Sequence, residues 1–468
     1  MRILIASTTD LGGGAEISAW NLFNTYRNRG HHAWLAVGGK RSDNPNVFSI
    51  PNDTCRSLWA KLWFGVGNRI GSILYDRHKI NRLNDCIRAI SEPRRWLETE
   101  MGYEDYRHPG TQRLLELCDS SPEILHCFNL HGGYFDLRML PWLSHQLPVI
   151  LDLRDAWLLS GHCAHSFACD RWKIGCGNCP DLTIPPKIRR DATAYNWQRK
   201  YKIYAKSRLC VSTPCQWLMK RVEQSMLGAA IVDSRVIPTG VDLTIFYSAD
   251  KSAARAALKL PQDAKILLFA ANGIRRNMWK DYDTLRSAVA LVGEHVERAK
   301  ILCLALGENS PPERLGEAEV RFIPFENNPA TVARYYQAAD IYVHAARADT
   351  FPRVVLEALA CGTPVIASDV GGITEQIRGL RCETSRDGHL NMYGADEATG
   401  VLIAKGDVQT MALAIERLLK NDPLRHRMGK NASKDAEERF NLQRQTDQYL
   451  EWYQELLRNQ HDRRSKEV

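Results

Sequence analysis

The sequence predicts an α/β protein built from two doubly wound, mostly parallel sheets. Three observations predict it. Short apolar, β-branched runs alternate with helical patterns of roughly 10–15 residues, the signature of buried parallel strands with crossover helices. The same alternation occurs in both halves of the chain. The 468 residues also suffice for two to three domains at roughly 150 residues each.

In the second half, strands are expected at Ile266–Ala270, Ile301–Leu306, Val320–Ile323, Asp340–His344 and Pro364–Ser368, with a helix over Asp281–Glu294. In the first half they are expected at Arg2–Ala6, Ala33–Val37, Ile124–Cys127, Val149–Asp152 and Leu209–Ser212. Residues 53–110, rich in Trp and Arg, interrupt that order and read as a helical insertion. The linker falls near Val236–Asp242. The domain reading is 1–237, then 238–434, then a C-terminal helix and tail over 435–468. That helix carries Phe440, Tyr449, Trp452, Tyr453 and Leu456 at helical spacing and is expected to pack back on the first domain. Ser465–Val468 read as a frayed end.

Composition narrows the function. With 44% hydrophobic and 25% charged residues the chain is an ordinary globular protein, neither disordered nor collagen-like. No run approaches the ~18 apolar residues of a membrane span. Met1–Ala6 breaks into Thr8-Thr9-Asp10 too early for a secretory signal, so a cytoplasmic location is expected. The net charge of +8 suits anionic small ligands or an acidic membrane face better than a dedicated nucleic-acid binder. Thirteen cysteines, an odd number, argue against a disulfide framework.

Five segments carry chemistry. Asp349-Thr350-Phe351-Pro352-Arg353-Val354 leads into a helix holding Glu357, with Pro352 suited to the first helical position and Gly362 past the end. Free amides at that helix start suit a phosphate, and the two carboxylates can accept hydrogen bonds from sugar hydroxyls. Gly273–Asp281 follows a strand and places Arg275, Arg276 and Lys280 where they can neutralise a diphosphate. Leu11-Gly12-Gly13-Gly14-Ala15 is a glycine turn permitting close backbone approach to a ligand. His131 follows one strand end, and Arg154-Asp155 follow the next. Cys163, Cys169, Cys176 and Cys179, within a loop over 160–182, have the donor chemistry of a structural Zn²⁺.

The stretch from Asp349 through Val365, followed by Gly371-Gly372-Ile373-Thr374-Glu375, resembles the nucleotide-sugar site of family 4 retaining glycosyltransferases of the GT-B fold. The Cys-rich segment is similar to those of bacterial colanic-acid and exopolysaccharide-type members. The resemblance implies two facing Rossmann-like domains with the active site in the cleft between them. It implies that Asp349 holds the transferred sugar and Glu357 the ribose. Lys280, with Arg275 or Arg276, would meet the leaving diphosphate, and Gly13 and Gly14 would lie beside it. Relatives often have His where Arg154 stands; Arg154 and Asp155 are therefore expected in the site, with His131 behind them. Implied too are a nucleotide-diphosphate sugar donor, no catalytic metal and a glycan or lipid-linked acceptor. The function so implied is transfer to a hydroxyl in polysaccharide or glycan biosynthesis. The Trp- and Arg-rich insertion, Asp53 to about Arg95, reads either as peripheral contact with the inner membrane face or as packing on the N-terminal domain. The alternatives are a nucleotide-sugar-binding protein with an altered site, or another GT-B enzyme such as an epimerase.

Overall fold

The computed structural model describes residues 1–71, 77–295, 300–381 and 392–467. Residues 72–76 of the insertion and the terminal Val468 lie outside the described residues. The chain divides into two compact units. One comprises Met1–Thr213, Leu218–Val236 and Tyr449–Val468; the other comprises Pro214–Trp217 and Ile237–Gln448.

The first unit runs β1 (Arg2–Thr9), α1 (Gly14–Asn28), β2 (His32–Gly39) and β3 (Val47–Ser49), then the helical insertion α2 (Leu58–Gly71), α3 (Arg77–Ser91) and α4 (Pro93–Glu100). It continues with β4 (Ile124–Phe128), α5 (Leu140–Gln146), β5 (Val149–Asp152), α6 (Thr193–Tyr204), β6 (Leu209–Thr213), α7 (Gln216–Glu223) and β7 (Ile231–Val236). Its seven strands lie in the order β3-β2-β1-β4-β5-β6-β7, and every pairing is parallel. β4, β5 and β6 are buried along their whole length, as the continuous apolar runs require. The short β3 and the half-exposed β7 are strands that no apolar run announces.

The second unit contains α8 (Lys251–Ala257), β8 (Lys265–Ala270), α9 (Tyr282–His295), β9 (Ile301–Leu306), β10 (Glu313–Leu315), β11 (Ala318–Ile323), α10 (Pro329–Ala338) and β12 (Ile341–His344). There follow α11 (Arg353–Ala360), β13 (Val365–Ser368), α12 (Ile373–Gln376), β14 (Gly379–Leu380), β15 (Met392–Tyr393), β16 (Gly400–Ile403), α13 (Val408–Lys420) and α14 (Asp422–Arg439). The sheet order is β10-β11-β9-β8-β12-β13-β16-β14-β15, parallel except for the edge hairpin of β10 with β11.

Two helix boundaries differ from expectation. Pro352 is the residue before α11, extended at ψ 127°, so the helix starts at Arg353. The C-terminal helical stretch is two helices, because α14 ends at Arg439 and α15 (Leu442–Glu467) begins after Phe440-Asn441. Asn441 is held by strand-like pairing with Val241. From Tyr449 onward α15 belongs to the first unit. There Tyr449, Trp452 and Tyr453 are fully buried. The Tyr449 hydroxyl donates to Asp152 (2.9 Å), and Tyr453 meets His126 Nδ1 at 2.6 Å.

Candidate functional site

In the second unit three loops leave the carboxyl ends of the adjacent strands β8, β12 and β13, the end at which doubly wound sheets bind ligands. Backbone bonds tie them together. The Asp281 N–H donates to Ala345 O, the Arg347 N–H to Trp279 O, and the Gly372 N–H to Thr350 O. Gly371 has φ +58°, and a Cβ there would stand 1.9 Å from the Asp349 carbonyl oxygen. Only glycine permits this turn to close over the Asp349 loop.

The resulting side-chain cluster is polar and interlocked. Lys280 Nζ donates to Asp349 Oδ2 at 2.6 Å. His344 Nε2 stands 3.3 Å from the same oxygen, and its Nδ1 is 3.0 Å from the Tyr342 hydroxyl. Burial would raise the Asp349 carboxyl, but Lys280 and His344 outweigh it and hold it well below the carboxylate range. Burial, reinforced by Lys280, pushes His344 down to about 4, so its ring is neutral at pH 7. Eight residues past Asp349, Glu357 accepts from the Tyr336 hydroxyl at 3.2 Å and from Arg353 Nη2 at 3.4 Å. No side chain caps α11, so its first amides, Arg353 and Val354, lack helical partners. Phe351 packs edge-on against Phe440 with ring centroids 6.0 Å apart.

Of the two arginines read as alternatives, Arg275 is engaged. Its Nε and main-chain N–H donate to Glu308 (2.8 and 2.9 Å), and its guanidinium also reaches Ser310. Burial works against Glu308, yet Arg275 and two backbone amides pull its carboxyl down to about 2. Arg276 is exposed. The Asp-x-Asp pair Asp281 and Asp283 bonds to Arg347 (3.4 and 3.3 Å).

The first unit carries its own constellation, also at strand ends. Gly12, Gly13 and Gly14 are exposed, and Gly13 opens α1 without a side-chain cap. His131 Nε2 lies 2.7 Å from Asp155 Oδ2, whose other oxygen accepts the Trp157 N–H at 2.9 Å. Burial alone would lower His131, but Asp155 more than compensates and raises it. Arg154 goes elsewhere. Its guanidinium donates to buried Asp152 at 2.7 Å and lies over the Phe128 ring. His131 thus pairs with Asp155, while Arg154 joins the buried Asp152–Tyr449 cluster.

The zinc expectation gains no support. Cys163, Cys169, Cys176 and Cys179 line one small cavity with His162 and Trp172. Yet among the described residues no group of three or more His, Cys, Asp or Glu side chains is set to hold a metal ion. Burial raises the Cys163 and Cys179 thiols and pushes Cys176 up to about 12. The loop is pinned by α6. Fully buried Lys200 donates to Trp157 O (2.8 Å), Ser160 O (2.9 Å) and Glu104 Oε1 (2.8 Å). Tyr204 and Trp197 add bonds to Leu158 O and Trp172 O. Lys200, His344 and Tyr336 are not among the residues the sequence singles out. For His344 the available signal is a polar residue closing an otherwise apolar strand run.

Comparison with known proteins decides the class. Residues 250–435 match the family described as "Glycosyl transferases group 1". The chain is also 29% identical over 347 residues to the D-inositol 3-phosphate glycosyltransferase of Saccharomonospora viridis, covering 69% of this chain and 71% of that protein. It is 29% identical over 324 residues to the enzyme of the same name from Streptosporangium roseum, covering 65% and 66%. Among solved structures it resembles sucrose-phosphate synthase from Thermosynechococcus elongatus (TM-score 0.58, 18% identity, 98% and 99% of the two chains). It also resembles Anabaena Alr3699/HepE in complex with UDP-glucose (TM-score 0.58, 16% identity, 97% and 100%). The likenesses to solved structures establish the GT-B fold; the family match and the curated relatives make the chain a glycosyltransferase.

Proposed function

We propose that the protein transfers a sugar from a nucleotide-diphosphate sugar to a hydroxyl acceptor, with retention at the anomeric carbon, in polysaccharide or glycan synthesis. The Lys280–Asp349–His344 cluster carries this reading: it brings a cation and an ionised carboxylate to one point above the sheet. In the reaction the bond between the anomeric carbon and the diphosphate oxygen breaks. Negative charge then collects on the departing diphosphate. Lys280 and Arg276, with the Arg353 and Val354 amides, stabilise that charge from fixed positions. Asp349 accepts from hydroxyls of the transferred sugar, and Glu357 from those of the ribose. The acceptor oxygen attacks from the face the diphosphate leaves, and its proton passes to a diphosphate oxygen. Retention follows without a protein base. His131, held by Asp155, orients the acceptor.

UDP-glucose, with which HepE forms its complex, is the first donor to try. Nucleoside diphosphate released only when an acceptor is present supports transfer. Release without acceptor indicates hydrolysis, and no donor binding across a panel of nucleotide sugars overturns the proposal. Glu357→Gln keeps the Tyr336 contact but removes the charge. It should weaken donor binding roughly ten- to hundred-fold, the worth of a hydrogen bond to a charged group, as read by calorimetric titration.

A further inference from the structure

The helical insertion of the first unit is built inside out. In α2 the buried face consists of small residues: Ala60 is fully buried, and a Cβ at Gly67 would stand 2.1 Å from Ile87 of α3. Trp63 and Phe64 are half-buried beside that face, and the other large apolar residues point the other way. Leu58 is 84% exposed, Leu62 62% and Trp59 54%, and Val66 and Ile70 are exposed as well. At 100° per residue these five fall within an arc of about 120°, and Gly67 and Ala60 lie about 60–80° beyond its edge. Exposed Ile90 of α3 adjoins them, since the Trp59 Nε1–H donates to its carbonyl oxygen at 3.0 Å. Elsewhere, strongly exposed apolar residues such as Ile174, Phe325 and Leu413 stand on separate elements. A contiguous apolar face of this kind marks an interaction surface.

Charge and length identify the partner. Exposed Lys61 borders the arc and exposed Arg69 lies within it, and the sequence from Leu58 to Gly71 contains no acidic residue. Arg88 and Arg94 of the neighbouring helices are exposed too. No described helix is long and apolar enough to cross a membrane. At 1.5 Å per residue α2 is about 21 Å long, short of the ~30 Å hydrocarbon core. It can lie in an interface but not span one. We infer that α2 docks the chain onto an anionic bilayer surface, its leucines and Trp59 at the headgroup–acyl boundary and its basic residues among the phosphates.

Vesicle sedimentation of the full chain tests this. The protein should pellet with vesicles of phosphatidylcholine mixed with phosphatidylglycerol, and far less with phosphatidylcholine alone. L58E/L62E should cut the pelleted fraction roughly ten-fold while leaving the unfolding midpoint and donor affinity unchanged, because both side chains are already in water. K61E/R69E should abolish the preference for phosphatidylglycerol. Wild-type protein that stays in the supernatant with both vesicles, or L58E/L62E that pellets like wild type, overturns the inference. So does a wild-type dimer on size exclusion that L58E/L62E converts to monomer, since a second copy would then cover the face. Donor titration is separate, so either reading can fail without the other.

Discussion

The two units share one architecture and use it differently. In the second, the side chains at the strand ends are wired to one another: Lys280 to Asp349, Asp349 to His344, His344 to Tyr342, and Glu357 to Tyr336 and Arg353. In the first, one pair at the strand ends, His131–Asp155, stands beside long segments inserted between strands. Those segments need anchors of their own, and buried Lys200 supplies the central one, joining Glu104 at the end of the helical insertion to the Trp157–Ser160 turn. A charge cluster proposed to serve chemistry in one unit thus has an architectural counterpart in the other, and burial separates the cases. Lys200 is wholly inaccessible, whereas Lys280 and Asp349 keep part of their surface open.

The largest effect tests that distinction. Lys200→Ala leaves Glu104 buried without its cation and should cost about 3–5 kcal/mol of stability, as breaking one partner of a buried ion pair does. Urea unfolding measures it, and a loss below about 1 kcal/mol would show that water takes the place of the ammonium. Lys280→Ala should do the opposite. Turnover should fall on the order of 10²–10³, the range for removing one electrostatic stabiliser. The unfolding midpoint should move little, which a steady-state assay of nucleoside diphosphate release and a parallel melt can establish. If Lys280→Ala unfolds the protein and Lys200→Ala does not, the assignment of roles is inverted.

Most of the second unit is legible in the sequence because its signals are local and repeated. Each apolar run forms a strand; Asp349, Gly371 and Lys280 sit on loops and Glu357 sits in α11, as their spacing implies. What escapes is long-range. Nothing near His344 in sequence announces that Lys280, 64 residues earlier, will approach its ring. Arg154 reads as a site residue because it occupies the position after the strand. Its destination is set by Tyr449 and Asp152, which meet only once α15 has packed on the first unit. The hold on the four-cysteine loop is long-range as well. The cysteine spacing is a local pattern, while the restraint on the loop comes from α6, beyond the reach of any motif.

Acidity probes the wiring of the second unit. The folded value of His344, about 4, lies below its unfolded value near 6.5. Between those limits the unfolded chain binds a proton that the native ring refuses. Stability should therefore fall as pH drops from 6.5 toward 4, by on the order of 3 kcal/mol from this group alone. Asp349, whose folded value is depressed, stabilises the fold above its unfolded value near 3.9; that contribution is lost as pH falls further. Chemical unfolding across pH 4 to 7 should show the upper slope, and His344→Gln, which can still donate to Asp349, should flatten it. An unchanged slope in His344→Gln would place the titrating group elsewhere.

The smallest effect belongs to the first unit. His131 is raised by Asp155, so the pair stabilises the fold at pH below the ordinary histidine range and is lost as pH rises through the raised folded value. Both side chains are about one-quarter exposed, so solvent screens the pair and its worth should stay below about 1 kcal/mol. Asp155→Asn should nonetheless lower the titration midpoint of His131, which NMR can follow through the ring proton shifts. Because the pair is proposed to orient the acceptor, Asp155→Asn should raise KM for the acceptor while leaving donor affinity intact. A change in donor affinity with no change for the acceptor would move His131 and Asp155 to the donor's side of the reaction. It would also remove the difference drawn between the two units, since both would then be handling the same substrate.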